Sequence, residues 1–132
     1  MGQRLYQTHV LLSAASETTT GTTIDVRDYD TVMLSFATDG GGNAALTALV
    51  QGAISITPPD FSAAQSASNM WAYVETIDTY NGDLKDGNVG FAVVGADAYK
   101  IFEVNTEGLT FLTVSILAYT AGELTVVASS FE

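Results

Sequence analysis

Cysteine is missing from these 132 residues, and histidine occurs once, as His9. Together these two shortages exclude a disulfide framework and a thiolate metal site, and they nearly exclude zinc, which draws on Cys and His ligands. A Ser-His-Asp apparatus would have to be built on His9, close to the N-terminus and without a G-x-S-x-G elbow to present the serine. Basic residues are scarce too. Arg4, Arg27, Lys85 and Lys100 face fifteen acidic residues, for a net charge of −11. Phosphate backbones and anionic membranes repel such a chain, so neither nucleic acid nor membrane is an expected partner. No apolar run approaches the 18 or so residues of a membrane helix. After Arg4 the chain turns polar at Gln7, Thr8 and His9, too early for a signal sequence, and Tyr6 stands where a myristoylation motif needs Ser or Thr. Charged residues make up 14% of the chain against a usual figure of about 25%. Less surface than normal is therefore marked for water, which leaves some for a partner.

What is present is β-pattern. Short runs rich in Thr, Val, Leu and aromatic residues, such as THVLLSA, TVMLSFA and TFLTVSILAY, are separated by Gly, Asp and Asn turns. Many short strands at this spacing predict an all-β, antiparallel, jelly-roll-like β-sandwich of eight or nine strands. One domain over residues 8–132 follows, with residues 1–7 as a short N-terminal arm and the first strand over 8–14. Residues 31–37 alternate with period two, placing Val32, Leu34 and Phe36 in the core. Val74, Leu112, Val114 and Ile116 join them. Apolar doublets such as Leu11/Leu12, Val93/Val94, Ile116/Leu117 and Val126/Val127 put apolar groups on both faces of a strand, so loops or another subunit must cover a second face.

Three segments escape the strand pattern. Asp39–Asn43, with glycine at 40, 41 and 42, reads as a flexible tip, since no following Lys-Ser/Thr makes it a phosphate loop. Residues 57–69 hold both prolines, Pro58 and Pro59, and form an excursion whose Phe61 packs on its own domain or on another subunit. The stretch 78–88 carries Asp78, Asp83 and Asp86, oxygen ligands that calcium accepts, but the spacing misses the calcium-loop pattern and fits acidic hairpin turns. No metal or cofactor is expected. Glu75, Asp97, Glu103 and Glu107 could supply a glycosidase pair, but their turn and strand-surface context reads as solvated charge. Trp71 fills the core or its rim, or else joins Tyr73 and Tyr80 in an aromatic platform for sugar.

Two stretches, TGTTIDVRDYDTVMLSFATDG at 20–40 and GLTFLTVSILAYTAGELTVVAS at 108–129, resemble a β-sandwich module of tailed-bacteriophage virion proteins, with a closing hairpin in the second stretch. A free-standing module of this kind, without a fibrous shaft, is similar to the capsid decoration (cement) proteins. The resemblance implies a non-enzymatic structural protein on the capsid exterior, made in the host cytoplasm, whose partners are the major capsid protein and further copies of itself. A homotrimer matches the local threefold positions of a capsid lattice, and a dimer comes next. Attachment is expected from the irregular parts: Gly2, Arg4 and Tyr6 of the arm, Gly41 and Asn43 of the glycine tip, and Pro58, Pro59 and Phe61 of the excursion. The alternative is a carbohydrate-binding adhesin, or a tail-fibre or head-fibre module.

Overall fold

The alternation at residues 31–37 becomes the spine of a two-sheet sandwich. In this computed structural model, which describes residues 6–132, strand β4 (Thr31–Asp39) buries Val32, Leu34 and Phe36 completely and leaves Thr31, Met33, Ser35 and Ala37 half-exposed. Before it come β1 (Tyr6–Ala15), β2 (Thr19–Thr20) and β3 (Ile24–Asp25). After it come β5 (Ala45–Ala53), β6 (Ala72–Tyr73), β7 (Thr76–Asp78), β8 (Leu84–Lys85) and β9 (Phe91–Val94), then β10 (Tyr99–Asn105), β11 (Phe111–Ala121) and β12 (Glu123–Phe131). No helix occurs among the described residues.

Sheet I runs β1-β12-β4-β10-β7-β8. In sheet II, β11 and β5 lie side by side; β2 and β3 pair successive stretches of β11, while β6 and β9 pair successive stretches of β5. Every ladder is antiparallel. The all-β sandwich expected from the sequence is therefore present, with twelve strands among the described residues instead of eight or nine. The count rises because short two-residue strands share one long partner, which sequence pattern cannot distinguish from turns.

The two sheets close on Phe36 and Phe102 from sheet I and Phe91 from sheet II. Phe36 stacks on Phe91 at 4.9 Å between ring centroids and meets Phe102 edge-on at 5.3 Å. Leu112, Val114 and Ile116 are buried as expected, whereas Val74 is half-buried and packs against the rim. Both members of the Leu11/Leu12 doublet point inward, because the register with β12 slips between Val10 and Leu12 and again before Ala15. The second resembling stretch is not a hairpin ladder. Strand β11 lies in sheet II and β12 in sheet I, so the chain turns a corner at Gly122, whose φ of +94° favours glycine. A staple crosses the sandwich on the same side, where β1 flanks β12 and β2 flanks β11: the Gly21 N–H donates to the Val114 carbonyl of sheet II (2.8 Å), and the Thr22 N–H donates to the Leu11 carbonyl of sheet I (3.0 Å).

Candidate functional site

Strand direction places the irregular segments at two opposite ends of the sandwich. At one end β4 begins, next to Phe131 and Tyr6, and hydrogen bonds lead from Asp30 through Thr106 and Thr110 to Ala53, where β5 stops and the excursion starts. At the other end β4 stops and the glycine tip leads into β5. Eight residue steps along β4 separate the ends by about 27 Å. Gly41 and Asn43 are therefore not brought together with Tyr6, Pro58 and Pro59. Gly2 and Arg4 lie outside the described residues.

The glycine tip is held in place, contrary to the flexible loop expected. The Asp97 carboxylate accepts the N–H groups of Gly40 and Gly42, each at 2.9 Å, and the Asn43 N–H closes a turn on the Gly40 carbonyl at 3.1 Å. These amides are the donors an anion would need, and the protein's own carboxylate occupies them.

The excursion is equally tied down, and it covers the part of the outer face of sheet II around Gln51, Ala53 and Phe111. Gln51, on that face, donates through Nε2 to the Phe61 carbonyl at 2.9 Å and accepts from the Ser115 hydroxyl. The Asn69 side chain accepts the Asp60 N–H at 2.8 Å and donates to the Asp60 and Ala64 carbonyls, and the Trp71 indole N–H donates to the Ala63 carbonyl at 3.0 Å. Beneath the excursion Phe61, Ala53 and Phe111 form a second small core with Trp71 against it. Phe61, only 4% exposed, is thus spent inside its own domain and is corrected as an attachment anchor. The burial of Phe111 and Ser115 on the second apolar face, for which the sequence predicts a cover of loops or another subunit, has the same cause: here a loop covers it. Trp71 meets Tyr73 edge-on at 5.1 Å, but Tyr80 belongs to the far side of sheet I, so the three-residue aromatic platform does not form.

The first end keeps Tyr6 and Pro58 exposed. Tyr6 starts β1 opposite Phe131, so Tyr6 and Gln7 are paired strand residues and not free arm. Beyond β5, Ile54 and Ile56 are 72% and 87% exposed, beside the surface prolines. Sequence reading missed both isoleucines, because the I-S-I alternation looks like continuing strand; Thr110 ends it by donating its hydroxyl to the Ser55 carbonyl at 2.7 Å. Asp28, Asp30 and Glu107 surround this end. Asp25 also lies here, its carboxyl held below the usual range chiefly by the Arg27 guanidinium, which sits over the Phe111 ring at 5.5 Å.

The outer face of sheet I is bare. Cross-strand partners share a face, so three rows run across four of its strands: Tyr6–Phe131–Thr31–Asn105, Thr8–Ser129–Met33–Glu103, which continues to Ile77 and Leu84, and Val10–Val127–Ser35–Ile101. A fourth, Thr125–Ala37–Tyr99, follows past the β1 bulge. Within these rows Glu103 is the sole charged side chain among the described residues, and Glu123 opposite Asp39 closes the face at its end. Beside it, Thr79, Tyr80, Tyr99, Lys100 and Ile101 line an open cleft of about 450 Å³. Lys100 there pairs with the buried Asp78 at 3.0 Å and lies over the Tyr80 ring at 5.4 Å. The Asp78 carboxyl is held below its usual range, first by the Tyr80 N–H and then by Lys100, against the opposing effect of burial.

No protein-family model and no curated protein match the sequence. Solved structures do match the fold. The SPBc2 prophage-derived protein YomS superposes with a TM-score of 0.72 at 9% identity, over 100% of this chain and 97% of that one. The PBSX exported protein XepA gives 0.71 at 13% identity, over 100% of this chain and 39% of that one. The fold thus accounts for nearly the whole of one neighbour and about two-fifths of the other.

Proposed function

We propose that the protein is a structural, non-catalytic component of a bacteriophage particle: a decoration protein that binds the outer surface of the major capsid protein lattice and stabilises the head. The observation that carries this reading is the full-length likeness of the sandwich to a prophage-derived chain, together with an end surface suited to a protein partner. That end presents Ile54, Ile56, Pro58 and Tyr6 within acidic surroundings. Apolar anchors inside an acidic rim complement a basic, pocketed surface. A protein that binds only the assembled lattice adds stability to it by mass action, and touching neighbours multiply weak contacts. In this reading the protein is made in the host cytoplasm and ends on the capsid exterior.

Binding to purified undecorated heads tests the proposal. Wild type saturates the lattice at on the order of hundreds of copies per particle, as a repeating lattice site requires. Ile56→Asp, at a largely exposed position, keeps the melting temperature and loses occupancy. Saturation by the variant, or wild-type binding of a few dozen copies at most, overturns it. The cleft with Tyr80 and Tyr99 favours a second reading, a carbohydrate-binding fibre or adhesin module, because exposed aromatic rings beside hydrogen-bonding groups suit a sugar. Chemical-shift changes at Tyr80 and Tyr99 on titration with neutral oligosaccharides would support it.

A further inference from the structure

We infer that the outer face of sheet I is the surface on which a second copy of this chain packs, giving a two-fold pair. The first support is electrostatic. With a net charge of −11, two copies repel in most orientations, and the repulsion weakens only beyond a Debye length of about 8 Å. The acidic residues concentrate in loops and at strand ends, and the four rows of the sheet I face carry only Glu103. This face lets two such chains meet without opposing many carboxylates. A basic partner, by contrast, is drawn to the acidic ends, so the two surfaces suit different occupants.

The second support is the contrast between the two outer faces. Sheet II buries its outer Phe111 and Ser115 under the chain's own excursion, with Phe61 as the plug, and its Thr113 hydroxyl donates to the Thr22 carbonyl. On sheet I no described segment does the same, and Tyr6, Val10, Tyr99 and Ile101 stay 67%, 54%, 66% and 36% exposed. The third is shape. The central strands β12 and β4 offer small or half-exposed groups such as Val127 and Ser35, whereas the larger exposed groups sit on the flanking β1 and β10. Two twisted sheets packed at about 30° approach in the middle and splay at the corners, where larger groups fill the gap. The same patch on both partners makes a closed two-fold contact, in place of the trimer expected from sequence. Four strands about 4.8 Å apart and about 27 Å long give about 500 Å² per copy, or about 1,000 Å² in all, the lower edge of a specific interface.

Sedimentation velocity and native mass spectrometry of the full chain, from about 1 to 200 μM, test this without any capsid. Wild type should form a dimer. Val127→Glu and, independently, Ser35→Glu should weaken pairing at least 100-fold while keeping far-UV circular dichroism and melting temperature. Val94→Glu, 88% exposed on sheet II, should pair as wild type does. A monomeric wild type, a trimer or larger ring, or folded sheet I variants that dimerise normally each overturn the inference. So does dissociation by Val94→Glu.

Discussion

The carboxylate of Asp97 and the N–H of Gly42 lie 2.9 Å apart, with the Gly40 N–H on the other carboxylate oxygen, so one side chain fixes both ends of the glycine tip. Asp97→Ala should speed hydrogen exchange of the Gly40 and Gly42 amides and cost no more than about 1 kcal/mol, since the bonds are exposed. Unchanged exchange would mean that the tip is fixed by its turn alone.

Val114 is completely buried in the centre of β11. Val114→Asp places an unpaired carboxylate between the sheets and should cost several kcal/mol or abolish folding, read by urea unfolding. Melting like wild type would reverse the assignment of the β11 faces.

Phe61 and Gln51 hold the excursion on sheet II at one point, the ring packing with Ala53 and Phe111 and the Gln51 amide holding the Phe61 carbonyl. Phe61→Ala should cost about 3 kcal/mol, and it should shift the emission of Trp71, the only tryptophan, to longer wavelength as water enters beside the indole. Gln51→Ala strands the Phe61 carbonyl and the Ser115 hydroxyl and should expose the excursion to limited proteolysis. Resistance to protease with an unshifted emission spectrum would show that neither contact holds the segment.

Asp78 is buried, and its carboxyl is stabilised in the charged form by the Tyr80 N–H and Lys100. A folded-state value below the unfolded one contributes stability that is present at neutral pH and is lost as pH falls through the folded value, in the region below about pH 4. Asp78→Asn should therefore be less stable than wild type at pH 7, and the gap should narrow in acid. A gap independent of pH would assign the effect to packing.

The class of fold and the inner faces were legible in the sequence. Period-two alternation at Val32, Leu34 and Phe36 and at Leu112, Val114 and Ile116 specifies which side is buried whatever the strand order, because side chains alternate in any strand. The acidic character and the spare apolar surface were legible there too. Composition does not know where a loop goes, so only the folded chain shows which outer face is covered: the sequence left Phe61 to pack on its own domain or on another subunit and made Ile56 look like continuing strand, yet the first is a plug and the second is surface. The β1 bulge resolves the Leu11/Leu12 doublet inward, while the same kind of doublet at Val126/Val127 splits between core and outer face. The candidate attachment residues divide between two ends because β4 runs unbroken between them. Strand direction, a property of pairing across distant parts of the chain, separates the glycine tip from Tyr6, Pro58 and Pro59.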